Sequence, residues 1–326
     1  LHLCDRRQRQ MCIRDRYSTY YNSVGYTNQD GVMKGTNYQR YTLQSKQDFK
    51  KGIFQAGTNV VLTYDQSNPL YSVIRGGMVG HTLQAIPTWE QYDENRTGGY
   101  GGLYGDVVNL THPLGMVDDN LMKRYSDNVK IFANAYVSVE LMKGLKYKLN
   151  LTPDFQFYRY NSYEGLFDFG LAKHDITAVT EQQTRTRNIL VENLLTFDRT
   201  FGDHKVSALV GYTYQDSRYR YMQGSGQGMP TGITEIDAAS QGLAVSGNSS
   251  RSVLTSILGR AFYSYKNRYL LTATIRRDGS SKFGSNYRYG NFPSVSVGWN
   301  IAEEDFVKNS VSWLDQLKLR GGYGVL

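Results

Sequence analysis

Acidic and imidazole side chains are the residues of this sequence whose types are most suited to catalysis. Glu303, Glu304 and Asp305 form a cluster of carboxylates of the kind that acid–base catalysis uses. Their place, after Trp299 and before an apolar pair, is instead typical of the first turn of a short helix, where carboxylates complement the helix dipole. The five histidines are scattered, without the spacing of paired metal ligands. We therefore predict no enzyme, no cofactor and no metal site.

A glycine-rich run at residues 224–228 has the composition of a phosphate-binding loop. Such a loop opens an apolar helix, whereas here the sequence continues with Met229-Pro230-Thr231-Gly232. We therefore interpret residues 224–228 as the tip of an external loop and expect no nucleotide site.

Aromatic side chains offer the remaining chemistry, which is the recognition of a ligand. Tyr and Trp on loops present flat surfaces on which sugars or peptides stack, at a low cost in conformational entropy. The candidate binding residues on the predicted long loops are Trp89, Tyr92, Tyr100, Tyr104, Tyr158, Tyr160, Tyr163, Tyr287 and Tyr289. The alternative for each of them is a structural role, in an interfacial girdle or in the packing of the loop itself.

The composition bounds the class of protein. The 326 residues include 27 Tyr and 33 Gly but only 6 Pro, and they contain no run of about 18 apolar residues that would form a transmembrane helix. The net charge of +8 comes without a basic helix or a basic cluster among stacking aromatics, so nucleic-acid binding is not expected. Both cysteines, Cys4 and Cys12, lie in the first sixteen residues, so a disulfide framework is excluded for the rest of the chain.

Strict alternation of apolar and polar side chains predicts the elements that position these residues. One face of the segment from residue 269 carries Tyr269, Leu271, Ala273 and Ile275. With residues 253–265 and the short break at 266–267, this segment predicts a hairpin of two long strands. Each arm has about ten residues, the length that a tilted strand needs to cross a bilayer. The alternation recurs in residues 52–64, 129–141, 145–151, 188–197, 206–214 and 293–301.

The predicted connections alternate in length. Short turns at residues 142–144, 201–204 and 266–267 are interleaved with long polar loops at residues 154–187, 216–250 and 278–292, and residues 67–127 form a further long stretch. Short turns on one rim and long loops on the other are typical of outer-membrane barrels, whose short turns face the periplasm. We count about eleven strands and predict an all-β fold, a partial antiparallel transmembrane β-barrel.

Three segments of the chain, residues 269–284, 292–299 and 317–320, resemble the barrel signature of the SusC/RagA family of TonB-dependent outer-membrane transporters. Residues 204–214 and the turn at 143–145 are similar to the same family. The motif residues that carry the resemblance are Arg276, Asp278, Gly279, Ser280, Ser281, Phe283, Phe292, Pro293 and Trp299.

The resemblance implies an outer-membrane importer of glycans or oligopeptides in a Gram-negative, Bacteroidetes-like cell. It implies a SusD-like surface lipoprotein as partner and energy from the TonB–ExbB–ExbD complex, received through an N-terminal segment with a plug and a TonB box. It also implies a barrel of about 22 strands. Residues 17–326 are expected to supply roughly half of that barrel and to be truncated at both ends.

Residues 1–16 fit none of these patterns. They lack the apolar core of a signal peptide and show no strand period, and they resemble translated sequencing-adapter sequence. We expect a non-native leader there and a barrel domain over residues 17–326. Two alternatives remain open: another outer-membrane barrel, such as a siderophore receptor or a porin, and a secreted Tyr-rich β-sandwich that binds carbohydrate.

Overall fold

The computed structural model describes residues 5–14, 17–69, 77–103, 110–309 and 313–325. In chain order its strands are β1 Asp5–Arg14, β2 Ser18–Asp30, β3 Asn37–Lys51, β4 Phe54–Asn68, β5 Met122–Met142, β6 Leu145–Glu164, β7 Phe167–Asp168, β8 Lys173–His174, β9 Ala178–Phe201, β10 His204–Gln227, β11 Gln241–Tyr265, β12 Tyr269–Ser280, β13 Tyr289–Asn300 and β14 Lys318–Gly324. All of them except β7 and β8 form one antiparallel sheet of twelve strands in chain order. The predicted all-β fold is confirmed, and from β2 onward the sheet has the expected eleven strands.

Helical structure in the described residues is confined to short segments. The two α-helices are α1 Gly77–Gln84 and α2 Asp305–Lys308, and neither is long and apolar enough to span a membrane. Glu304 lies at the N-cap of α2 and Asp305 in its first turn, which confirms the helix predicted from the acidic cluster. Four single turns of 3₁₀ helix complete the list: Gly115–Val117, Ile236–Ala238, Ser285–Tyr287 and Ile301–Glu303.

The register of the strands divides the large sheet into two faces. On the apolar face, Val137 lies opposite Leu149, and Leu271 lies opposite Val297. These four side chains are between 41% and 57% exposed. A continuous band of exposed apolar side chains is not a surface that water favours, so this face is suited to contact with another apolar phase.

The opposite, polar face is held together by side-chain hydrogen bonds that cross from strand to strand. Asn134 of β5 donates to Asn150 of β6 at 2.9 Å and to Thr152 at 2.7 Å, and Asn150 donates in turn to Glu192 of β9 at 2.8 Å. Alternation brings these side chains to one face because every second residue of each strand points the same way. The two faces of these strands therefore differ in chemistry.

Tight turns join the strands at one edge of the sheet. Lys266 and Asn267 both have positive φ, at 51° and 56°, in the three-residue turn at 266–268, where the amide of Arg268 donates to the carbonyl of Tyr265 at 2.9 Å. Gly144 and Gly202 supply positive φ at two other short turns, where a side chain would be strained. The short turns expected from the sequence are confirmed.

The long loops are shorter than the sequence analysis predicts. Strands β6, β9, β10 and β11 extend well into the predicted loops, leaving connections at residues 165–177 and 228–240, while residues 281–288 separate β12 from β13. The glycine-rich run at 224–228 is strand as far as Gln227, so its interpretation as a loop tip is wrong. The backbone ladder continues here because its hydrogen bonds do not depend on apolar side chains.

Residues 5–14 also depart from expectation. They form β1, which pairs antiparallel with β2 over Asp5 to Arg14, although the sequence shows no strand period there. The unpaired backbone of an edge strand accepts a neighbouring extended segment whatever its side chains are. The interpretation of residues 1–16 as a non-native leader stays a prediction.

The sheet topology removes one alternative. A β-sandwich needs two sheets of comparable size that bury their facing sides, whereas the described residues form one twelve-stranded sheet and one sheet of two short strands. The buried apolar residues lie largely in or beside the connections, at Met116, Leu121, Met122, Phe167 and Phe169. The β-sandwich interpretation is therefore wrong for this part of the chain.

Candidate ligand-binding surface

Two connections at the edge opposite the short turns pack into one unit, which we call the loop module: residues 77–103, 110–121 and 165–177. Its core contains Phe167 and Phe169, whose rings stack at a centroid distance of 4.4 Å. Arg96 ties the connections together, because its guanidinium contacts Asp93 and Asp168 at 3.1 Å each. Lys173 bonds the Asp168 carboxylate at 2.9 Å, and this hydrogen bond is the main reason that the pKa of Asp168 is lowered.

Two of the predicted ligand residues belong to the packing of the loop module. Trp89 donates its indole N–H to the carbonyl of Gly101 at 3.0 Å. Tyr100 donates its hydroxyl to Asp118 at 2.9 Å, and burial together with that carboxylate raises the pKa of Tyr100 to about 12. The ring of Tyr92 lies beside that of Tyr100, tilted by 36° at a centroid distance of 5.6 Å, but Tyr92 remains 63% exposed. Tyr92 is thus the one of these three that presents a free aromatic surface.

His112 makes the loop module sensitive to pH. Its ring is buried between Trp89, at 4.8 Å, and Tyr100, at 5.1 Å, and burial lowers the pKa of His112 from its ordinary value of 6.5. A lowered folded pKa means that the neutral ring stabilises the module above pH 6.5 and that this stability is lost as the pH falls through the folded pKa.

We expect Trp89 fluorescence to change as the pH is lowered from 7.5 to 5, because the module loosens around the protonated ring. Subtracting the signal of a Trp89→Phe variant assigns the change to this indole rather than to Trp299 or Trp313. A His112→Gln variant should show no step in this range. A step of the same size in that variant would contradict the assignment to His112.

The predicted ligand residues on β6 divide between its two faces. Tyr163 is 1% exposed, packs with Val179 and Met229, and accepts a hydrogen bond from the amide of Gly232 at 2.8 Å, so it holds the connection at 228–240 in place. Tyr158 and Tyr160 point to the polar face and are half-buried. These three residues lie in a strand, not in the loop that the sequence analysis predicts, because β6 continues to Glu164.

Tyr158 and Tyr160 take part in a larger surface that crosses three strands. Tyr158 lies in one row with Thr184 and Tyr221, and the next row joins Tyr160, Gln182 and Gln223. Gln182 donates to Gln223 at 3.2 Å, and the Tyr221 hydroxyl bonds the same Gln223 amide. We call Tyr158, Tyr160, Gln182, Tyr221 and Gln223 the Tyr/Gln surface.

The Tyr/Gln surface combines the two kinds of contact that an uncharged polar ligand needs. Phenol rings supply flat apolar area, and amide groups both donate and accept hydrogen bonds. Tyr158 and Tyr221 are two strands apart, which is about 10 Å. Sequence analysis missed Tyr221 and the two glutamines because it assigned them to loops, although their alternation with outward-pointing residues was a usable signal.

The remaining predicted aromatic residues do not join this surface. Tyr287 is 83% exposed in the turn between β12 and β13. Tyr289 points to the apolar face, where the guanidinium of Arg277 lies 4.8 Å from its ring centre. Tyr104 lies outside the described residues. The nine aromatic candidates therefore fall into separate places and do not form one site.

Family-motif residues on β12 and its turn make structural contacts. Arg276 donates to Asp278 at 2.7 Å on the polar face. A side chain at Gly279 would overlap the ring of Tyr289. The hydroxyl of Ser281 accepts the amide hydrogen of Val253 at 2.8 Å. These residues fix the shape of the sheet where β12 leaves β11.

The other motif residues have different surroundings. Ser280 accepts a hydrogen bond from the amide of Lys282, and Phe283 is 61% exposed beside it. Pro293 lies opposite Ile275 in the register, and Phe292 lies opposite Arg276. These positions belong to the turn between β12 and β13 and to the strand that follows it.

Trp299 belongs to a cluster at the short-turn edge. It donates its indole N–H to Glu304 at 2.9 Å, and Arg268 pairs with the same carboxylate at 3.2 Å. Hydrogen bonds from Tyr269 and from Trp299 lower the pKa of Glu304. The acidic cluster thus anchors α2 to the sheet. Within the described residues no three His, Cys, Asp or Glu side chains are grouped so that they could hold a metal ion.

Known proteins provide an independent comparison. No protein-family model matches the chain. TonB-dependent receptor P3 of Formosa agariphila is 30% identical over 94% of this chain, and TonB-dependent receptor SusC of Bacteroides thetaiotaomicron is 27% identical over 93% of it. The chain spans 31% of the length of each of these relatives.

Solved structures share the fold. The RagAB peptide transporter matches 97% of this chain with a TM-score of 0.81 at 20% identity, and the match covers 36% of the transporter chain. The ferric preacinetobactin receptor BauA of Acinetobacter baumannii matches 98% of this chain with a TM-score of 0.54 at 10% identity, covering 44% of that receptor. The twelve-stranded sheet is therefore similar to part of a TonB-dependent receptor barrel.

Proposed function

We propose that this SusC/RagA-like chain is part of the barrel of a TonB-dependent outer-membrane importer of glycans or oligopeptides. Proteins of this class transport their ligands and are not enzymes. The observation that carries the proposal is the separation of an exposed apolar face from a hydrogen-bonded polar face in a sheet with this similarity. The apolar face then contacts lipid, and the polar face lines the aqueous interior of the barrel.

The orientation in the outer membrane follows from the lengths of the connections. Short turns of outer-membrane barrels face the periplasm and long connections face the outside. The edge with the turns at Gly144, Gly202 and Asn267 is therefore periplasmic, and the loop module is extracellular. In the proposed orientation, the Tyr/Gln surface lies on the interior wall, near the extracellular entrance.

The chemistry of the Tyr/Gln surface supports an uncharged, polar, extended ligand. Sugar rings stack on phenol groups, and peptide groups form paired hydrogen bonds with glutamine amides. The two rows of side chains extend over three strands, so they suit an oligomer better than a compact chelate. The description of RagAB as a peptide transporter favours oligopeptides, whereas the phenol rings suit glycans equally well.

The partners are part of the same proposal. A SusD-like surface lipoprotein would deliver the ligand at the extracellular edge, and the TonB–ExbB–ExbD complex would supply energy from the periplasmic side. The resemblance to SusC/RagA transporters supports both partners.

A binding experiment tests the ligand class and the site together. The intact gene product, purified from outer membranes, is titrated by calorimetry with a mixture of oligopeptides and, separately, with oligosaccharides. We expect Tyr158→Ala combined with Tyr221→Ala to weaken binding of the active mixture about 5- to 150-fold, because each ring contributes about 0.5–1.5 kcal/mol.

Tyr212→Ala is the matched control, because Tyr212 lies on β10 like Tyr221 but on the apolar face, where it is 44% exposed. Its binding should remain at the wild-type level. Binding of a ferric siderophore and of neither mixture would favour the siderophore-receptor alternative. Equal weakening by the control and the double variant would contradict the site.

A further inference from the structure

A row of arginines crosses the apolar face of the sheet near its extracellular edge. In the register, Arg218 of β10 lies directly opposite Arg187 of β9 on one side and Arg251 of β11 on the other. The next row places Arg220 opposite Arg185. We call these five residues the arginine patch. They point outward with the apolar face, away from the interior wall.

The charges of the arginine patch are only partly balanced. Asp216 bonds Arg218 at 3.1 Å and Arg251 at 2.9 Å through bidentate contacts. Arg185, Arg187 and Arg220 are exposed and form no ion pair with any residue that the structure describes.

Five positive charges thus face one carboxylate. Like charges on directly opposed residues of neighbouring strands destabilise a sheet unless an anion compensates them. The arrangement therefore favours a bound anion with more than one negative charge.

The position of the patch indicates what that anion is. Arg218 is fourteen residues from the turn-edge residue His204, which corresponds to about 45 Å along the strand. With a strand tilt of about 40°, this is about 35 Å of height, beyond a hydrocarbon core of about 30 Å. The arginines therefore lie at the level of lipid headgroups, on the extracellular side.

The patch is continuous with the lipid-facing band below it. Phe155 lies opposite Arg187 and Phe157 opposite Arg185, and these rings and arginines line one groove of about 740 Å³. Ile189 follows Arg187 on the same face of β9, one row closer to the short-turn edge. A molecule with a phosphorylated head and an acyl chain would place its phosphates on the arginines, beside the two phenyl rings, and its chain against Ile189 and the apolar side chains below it.

We propose that the arginine patch binds the phosphate groups of an outer-leaflet lipid, with the acyl chains extending below the patch along Ile189 and the apolar face. Guanidinium groups bind phosphate oxygens in bidentate pairs, which a polar but uncharged headgroup cannot form. The inference rests on the outer-membrane location and on none of the substrate assignments. Failure of ligand import would leave it unaffected.

The test measures lipid binding by the intact gene product in detergent, using native mass spectrometry. The probes are diphosphorylated lipid A and the same lipid with its phosphates removed. We expect the wild type to bind the phosphorylated form and Arg187→Gln combined with Arg220→Gln to bind it about 25-fold less tightly, since each arginine near a lipid headgroup contributes about fivefold. These two arginines are chosen because neither pairs with Asp216, so no carboxylate loses its partner.

The matched control removes two arginines from the polar face, Arg260→Gln combined with Arg320→Gln, which changes the net charge by the same amount. Its lipid binding should equal that of the wild type. Equal weakening by both double variants, or wild-type binding by the patch variant, would overturn the proposal. If the patch variant fails to fold, the wild-type protein still tests the proposal. Equal binding of the phosphorylated and dephosphorylated lipids by the wild type would overturn the role of the phosphates.

Discussion

The variants Ile275→Arg and Leu271→Arg are expected to assemble poorly in the outer membrane. Both side chains lie on the apolar face of β12, where they are 59% and 42% exposed. An arginine that faces lipid near the middle of the bilayer costs about 2–4 kcal/mol, a large part of the stability of an ordinary protein. The measurement is the fraction of intact gene product that shows the altered gel mobility of a folded barrel before heating.

Thr272→Arg is the control for this result. Thr272 is adjacent to Leu271 in the chain, but it points to the polar face, where it lies opposite Phe262 and Ser296. Water in the barrel interior solvates a guanidinium at this position, so assembly should remain close to the wild-type level. Equal losses of assembly for the Leu271→Arg and Thr272→Arg variants would mean that the apolar face does not contact lipid and the polar face does not contact water.

The Phe169→Ala variant is expected to loosen the loop module while the large sheet stays folded. Phe169 is fully buried, its ring stacks on Phe167 at 4.4 Å and meets Tyr100 edge-on at 6.1 Å, and a side chain at Gly115 would overlap it. Replacing a buried phenylalanine with alanine costs about 3–5 kcal/mol. Amide hydrogen exchange should accelerate in residues 77–103, 110–121 and 165–177.

The same measurement distinguishes this effect from global unfolding. Exchange in the strands on either side should be unchanged, because a loop unit opens without the sheet on which it lies. Phe283→Ala is the matched control, since Phe283 is 61% exposed and its loss removes little buried area. Slow exchange throughout the loop module of the Phe169→Ala variant would contradict the packing described here.

Alternation was sufficient to predict the strands that carry the resemblance. The hairpin of β11 and β12 lies where the sequence places it, and its short turn contains Lys266 and Asn267, which both have positive φ. The pattern can be recognised because one face of each strand must be apolar and the other polar. The identity of every second residue therefore indicates which way the strand faces. The same reasoning explains why the number of strands from β2 onward was predictable.

Loop boundaries were not predictable in this way. Residues 154–164, 216–227 and 241–250 read as polar loops, yet they belong to β6, β10 and β11. Beyond the membrane both faces of a strand contact water or other loops, so the apolar signal ends while the hydrogen-bonded ladder continues. Tyr158 and Tyr160 were consequently assigned to a loop, although they lie on the wall of the sheet.

The sequence by itself determined the all-β class, the two chemically distinct faces, the short turns and the resemblance to SusC/RagA transporters, because each of these is a local property of neighbouring residues. Only the tertiary structure decided which side chains meet. Trp89 and Tyr100 became packing residues, Tyr158 and Tyr221 came to one surface, and Arg218 came to lie between two further arginines. The physical reason is that contacts between these side chains depend on the register between strands and on the packing of loops against each other. The residues concerned are far apart in the chain, so no local sequence pattern predicts their contact.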